Sequence, residues 1–158
     1  MAGRTGLTSS QRGTIAEVYL AATLISASDG RLSPFTPVAD DHGIDLVVMD
    51  KETGRCVPVQ VKAWLGQAGR TVQFDVRRAT FRPDAGGALV ALLLDPATMR
   101  LDAAWMIPMD KIPGVSTGHA EKYALTPNPS AGSRDRYAEF RHADPASLAA
   151  ALIGLSGG

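Results

Sequence analysis

The chain has 158 residues, 45% of them hydrophobic and 20% charged, and a formal net charge of zero. That balance fits one folded domain spanning 1–158, argues against disorder, and counts against DNA binding driven by overall charge. The single cysteine, Cys56, excludes an internal disulfide framework or a cysteine zinc site. No apolar stretch nears the ~18 residues that a membrane span needs, and the amino-terminal segment lacks a signal-peptide core, so a cytoplasmic protein with no membrane association is expected.

In chain order, Ser9 or Ser10 reads as the N-cap of a helix running to about Ala27, where Asp29-Gly30 stops it. Between Gly13 and Ser28 its only charge is Glu17. Ile15, Val18, Tyr19, Ala22 and Ile25 form one apolar stripe, and Leu20 and Leu24 lie around the other side, flanking Glu17. A helix apolar on more than one face is expected to be covered on several sides. Arg31–Val38, broken by Pro34 and Pro37, reads as an edge strand.

Ile44–Met49 and Cys56–Trp64 then read as a hairpin turning through Asp50–Arg55. Thr71–Arg77 alternates as a third strand, and the unbroken apolar run Ala88–Leu94 fits a central one. Ala103–Ile107 is a further strand, Met109–Ile112 a helical turn, and Lys122–Leu125 a small strand. Pro127–Gly132 is a loop. Asp135–Arg141 and Pro145–Leu155 read as helices, the second with Asp144 as N-cap and Pro145 at its first position. Helix, then strands, then helices implies an α/β or α+β sandwich with a mixed sheet.

Charge is unevenly spread along this pattern. Asp29, Asp40, Asp41, Asp45, Asp50 and Glu52 outnumber Arg31 and Lys51, whereas Arg55, Lys62, Arg70, Arg77, Arg78 and Arg82 face only Asp75 in the next stretch. An acidic pocket beside a basic strip suits metal-assisted work on a polyanion, and chance segregation of surface charge gives the same pattern. If the hairpin closes through a two- or four-residue loop, paired residue numbers sum to 105 and Asp45 faces Gln60, with Lys62 next on the same face. A bulge at Gly54 would instead set Asp45 against Val61. The first register also pairs Asp50 with Arg55 and groups Ile44, Leu46, Val59 and Val61 on the apolar face. In it, Asp45, the Gln60 amide oxygen and the Val61 carbonyl can supply oxygens to Mg²⁺, and Lys62 can orient or deprotonate a water or stabilise a phosphate.

From Gln11 to Trp64 the chain resembles the PD-(D/E)xK nuclease superfamily, the group of archaeal Holliday-junction resolvases and many restriction endonucleases. Glu17 in the first helix, Gly43-Ile44-Asp45 on one strand and Gln60-Val61-Lys62 on the next carry the likeness. The resemblance implies a restriction-endonuclease-like core, a mixed central sheet flanked by helices, and Mg²⁺ or Mn²⁺ as cofactor. It further implies hydrolysis of phosphodiester bonds in DNA, double-stranded or branched. Glu17, Asp45, Gln60 and Lys62 take over the family's catalytic roles. The departure is Gln60, which stands where the family usually has an acid; an amide coordinates Mg²⁺ more weakly than a carboxylate.

Two-strand or junction cutting needs two sites, so a homodimer is expected from the reaction. Arg77, Arg78 and Arg82 are candidate phosphate contacts; Trp64 and Phe74 can stack on bases but read better as packing residues. Asp40, Asp41 and His42 can ligate a metal or simply form a turn. Cys56 reads as a strand packing residue. The competing expectation is a nuclease-fold module without catalysis that binds nucleic acid or a protein partner, which Gln60 and the neutral net charge favour.

Overall fold

The computed structural model describes residues 6–39, 43–83 and 86–157, so Asp40, Asp41 and His42 lie outside the described residues. Helix α1 (Ser9–Ala27) is capped by Thr8, one residue before the expected Ser9. Its hydroxyl accepts from Gln11 N–H at 3.1 Å, while Gln11 Oε1 accepts from Thr8 N–H at 2.9 Å, a reciprocal box that outcompetes either serine. At the other end Gly30, with φ of 77°, donates to Ile25 O, and Ser28 Oγ accepts from Leu32 N–H at 2.9 Å to start the first strand.

The two apolar stripes of α1 part company. Ala16, Leu20 and Leu24 are buried, but Val18 and Ile25 are 62% and 48% exposed. The helix is therefore covered on one side only. Ile15, Val18, Tyr19, Ala22 and Met99 line an outward apolar groove of about 590 Å³.

The strands are β1 (Leu32–Phe35), β2 (Leu46–Asp50), β3 (Cys56–Leu65), β4 (Phe74–Arg77), β5 (Ala88–Asp95) and β6 (Arg100–Pro108). After a short helical stretch ending in α2 (Ile112–Val115) come β7 (Thr117–Gly118), β8 (Lys122–Leu125), β9 (Arg141–His142) and α3 (Pro145–Gly157). Six strands form one sheet in the order β1-β2-β3-β5-β6-β9, with β3 and β5 parallel and every other neighbour antiparallel. This is the mixed α/β architecture that the sequence implies. The stretch expected as a strand over Thr71–Arg77 shortens to β4 and leaves the main sheet. It joins β8 and β7 in a second sheet of three strands.

Each face of the main sheet carries its own core. Val57, Val59, Val61, Val90, Leu92 and Leu94 point to the layer of α1 and α3, whose Leu20, Leu24, Leu148 and Leu152 complete it. Leu89, Ala91, Leu93, Trp105 and Ile107 point the other way, toward Phe74, Val76 and Leu125 of the small sheet. Strand β5 feeds both, which is why it reads as an unbroken apolar run. Cys56, expected to pack, is exposed at the start of β3.

Asp135–Arg141 does not form the expected helix. Asp135 accepts from Asn128 N–H and Tyr137 N–H, and the buried Tyr137 hydroxyl accepts from Thr126 N–H at 3.1 Å. These bonds bend the chain into a 3₁₀ turn at Ala138–Phe140 and deliver Arg141–His142 to the edge of β6. Helix α3 starts as expected, with Asp144 Oδ1 accepting from Ser147 N–H at 2.8 Å.

Candidate functional site

The hairpin β2–β3 has the register in which residue numbers sum to 105: Leu46 faces Val59, Val48 faces Val57, and Met49 faces Cys56. Asp50 N–H donates to Arg55 O at 2.9 Å, so Lys51–Gly54 is a four-residue loop, and Gly54 (φ 73°) closes it by donating to Asp50 O. The ladder stops one rung short of the site. Asp45 N–H donates to Val59 O, so both Asp45 and Leu46 oppose Val59, a bulge at the start of β2. The expected Asp45–Gln60 rung is therefore absent. Instead Asp45 Oδ2 accepts from Val61 N–H at 2.7 Å. The carboxylate thus takes over a ladder bond that the β2 backbone has given up, a charge-assisted contact.

Within a strand, the N–H and C=O of one residue leave by the same edge. The Val61 carbonyl therefore points toward the side on which Asp45 sits. Gln60 and Lys62 pair with Leu89 and Ala91 of β5 and share their face, toward the small sheet. Gln60 is only 9% exposed. Gly43, with φ of 70°, packs beside it: an added Cβ would lie 3.4 Å from Gln60 Nε2 and 3.2 Å from Thr80 Oγ1. Glycine's left-handed backbone and missing Cβ are thus both used where the chain passes Gln60.

Lys62 opens into a polar groove of about 720 Å³, lined also by Asp75, Arg77, Arg78, Glu121 and Lys122. Asp75 Oδ2 binds Lys122 Nζ at 2.9 Å, and Oδ1 accepts from Gln73 Nε2 at 2.9 Å. Burial works to raise the Asp75 pKa; the bonds from Gln73 and Lys122 and the charges of Lys122 and Lys62 outweigh it and hold the carboxyl below its usual range. Neither Asp75 nor Lys122 belongs to a motif in the sequence. They stand 47 positions apart, and only the β4–β8 pairing brings them together.

Among the remaining expected site residues, Glu17 is half-buried on α1, one residue from the core Ala16. Helix α1 packs on β1 and β3 from the face opposite Gln60 and Lys62. Glu17 accordingly belongs to the layer on the opposite side of the sheet from Gln60 and Lys62. Arg77 and Arg82 are exposed, with Arg77 on the groove wall. Arg78 is occupied structurally: its Nε donates to His119 O at 2.7 Å, and its guanidinium lies 4.3 Å from the Tyr123 ring centroid. Phe74 is buried against Trp105, and the part-exposed Trp64 packs at the margin of the second core with its indole N–H donating to Gln67 O.

For a metal, the donor chemistry at this corner is one carboxylate, one amide and one backbone carbonyl, all hard oxygens. That set suits Mg²⁺ or Mn²⁺ and not a soft ion. No cluster of three or more His, Cys, Asp or Glu side chains that could hold a metal forms among the described residues. Any ion here therefore depends on the Gln60 and Val61 oxygens or on Glu17.

No helix among the described residues is long and apolar enough to cross a membrane. No protein-family model matches the chain. No curated protein matches it either. Among solved structures, the chain is similar to a bacterial homing endonuclease, with 17% identity, 95% of each chain covered and a TM-score of 0.58. The chain thus shares its fold, over 95% of its length, with a nuclease.

Proposed function

We propose that this protein is a divalent-metal-dependent endonuclease that hydrolyses phosphodiester bonds in DNA, built on the PD-(D/E)xK plan with glutamine in place of the usual acid. The bulge at Asp45 carries the reading. A residue that merely entered a strand would extend the ladder, whereas here the chain gives up a rung and sets a carboxylate against the Val61 N–H, beside Gln60 and Lys62. The resemblance to a homing endonuclease fold supports it.

In this reading Asp45, the Gln60 amide oxygen and the Val61 carbonyl hold Mg²⁺, with Glu17 reaching it directly or through water. A divalent ion held there would supply a more acidic water and a counter-charge for the scissile phosphate. Lys62 aligns the attacking water and stabilises the negative oxygens as the phosphorus–oxygen bond to the leaving sugar breaks. Arg77, Arg82 and the basic groove wall contact flanking phosphates. Two chains acting together would cut both strands.

Supercoiled plasmid with Mg²⁺ or Mn²⁺ tests this. Wild type is expected to nick, and Asp45→Ala and Lys62→Ala to lose about 100-fold or more in rate. Equal rates in all three remove the assignment. The second reading, a binding module without catalysis, is favoured by the buried amide at Gln60 and the neutral net charge. Calorimetry separates them: a folded protein that gives no heat with Mn²⁺ but retains DNA binding supports the module.

A further inference from the structure

Lys62 is the cation on which the proposed chemistry depends, and Asp75, a carboxylate of the groove it lines, already has a partner. Lys122 Nζ sits 2.9 Å from Asp75 Oδ2, while Lys62 lines the same groove without an ion pair within 4 Å among the described residues. The Asp75 carboxylate still senses the Lys62 charge, so the two stand within electrostatic reach. The position of Asp75 is fixed. Phe74 and Val76 on either side of it are 3% and 0% exposed in the second core, and Gln73 holds its other oxygen. Lys122 is fixed equally well, standing across the ladder from Arg77 with Ala124 and Leu125 of its strand buried.

We infer that Lys122 is a positioning residue that keeps Lys62 available to substrate by occupying Asp75, the carboxylate that would otherwise capture it. Lysine is a compact charge on a long flexible stem, and it pairs with whichever fixed anion is within reach. An ammonium bound to a carboxylate inside a partly enclosed groove must break that contact before it serves a phosphate or a water. The Lys122–Asp75 pair removes that competition. It leaves a net positive groove in which Lys62 is the cation nearest Asp45 and Gln60 along β3. The role assigned to Lys62 rests on the nuclease reading; the competition between two lysines for one carboxylate does not.

The test is a rescue by a second substitution. Lys122→Met, which keeps the stem and removes the charge, is expected to lower the plasmid-nicking turnover by about tenfold. Adding Asp75→Asn to it removes the capturing carboxylate and is expected to restore turnover, although the double variant has lost both groups. In parallel, the side-chain ammonium resonance of Lys62, identified by its loss in Lys62→Arg, should shift in Lys122→Met and return in the double variant. A double variant as slow as Lys122→Met overturns the inference and makes Lys122 a direct phosphate contact. An unmoved Lys62 resonance in Lys122→Met overturns it as well. If wild type fails to nick while the resonance moves and returns, the nuclease reading falls and the capture of Lys62 by Asp75 stands.

Discussion

The two ends of β2 each carry an aspartate, and the two are used in opposite ways. Asp50, at the hairpin end, has a side chain with no solvent exposure. Both its oxygens bind the Arg31 guanidinium, at 2.9 and 2.8 Å, and it also accepts from Glu52 N–H and Ser156 Oγ. The Arg31 hydrogen bonds outweigh burial and, with the Glu52 backbone bond, the Arg31 charge and Ser156, hold its carboxyl far below the usual range. That knot ties β1, β2 and α3 together. At the other end Asp45 is half-exposed, stands outside the ladder, and holds a backbone N–H that no strand neighbour takes. Asp50 is bound from several elements of its own fold and is structural, whereas Asp45 stands just before β2, against Val61 N–H, and is the carboxylate to which the proposed function gives the ion.

This contrast can be broken most forcefully at Asp50. Asp50→Ala leaves Arg31 without its buried partner, and removing one member of a buried pair is costly. The variant is expected to show the largest drop in melting temperature of any substitution in β2, with no specific effect on DNA nicking beyond unfolding. The pH dependence follows from the sign of the shift. A carboxyl depressed in the folded state stabilises above its unfolded pKa, and that contribution is lost as pH falls through the folded value. Wild type should therefore lose stability on acidification below about pH 4, while Asp50→Asn starts less stable and shows a flatter acid limb in thermal melts.

A smaller effect is expected at Asp45. Asp45→Asn weakens the bond to Val61 N–H and should cost about 1 kcal/mol of stability by urea unfolding. It should also abolish any rise in melting temperature on adding Mn²⁺, which Asp50→Asn should retain. A metal-induced rise of equal size in wild type and Asp45→Asn would place the ion elsewhere. The smallest effect is expected at Gln60→Glu, where restoring a full charge should tighten Mn²⁺ binding several-fold by calorimetry. The same change should lower stability slightly without metal, because two carboxylates then share one corner.

Legibility in the sequence follows locality. The hairpin register was readable because it rests on counting residues between two short strands. The bulge was not, because it depends on what Val61 N–H finds once β2 has ended. The two apolar stripes of α1 have the same periodic signature, and periodicity carries no information on which of them meets a sheet; packing chose Ala16, Leu20 and Leu24 and left Val18 and Ile25 outside. Asp135–Arg141 reads as helix by composition, but Tyr137 is buried where the chain bends, with its hydroxyl accepting from Thr126 N–H. In the sequence Asp75 reads as a lone acid in a basic stretch. Its meaning lies in Lys122, which arrives from a strand in the same small sheet far along the chain.

By itself, the order of residues determined the element sequence as far as β8 and again at α3, the mixed sheet and a short list of oxygen donors around Asp45, Gln60 and Lys62, since alternation and turn chemistry act over a few residues. Tertiary structure alone decided that β4 would leave the main sheet and carry Asp75 to the groove, and that Glu17 would lie in the opposite layer from Lys62. It also decided that one aspartate of β2 would be locked and the other left at a broken rung. Those outcomes depend on contacts between segments that meet only once the two cores have formed on either face of the sheet.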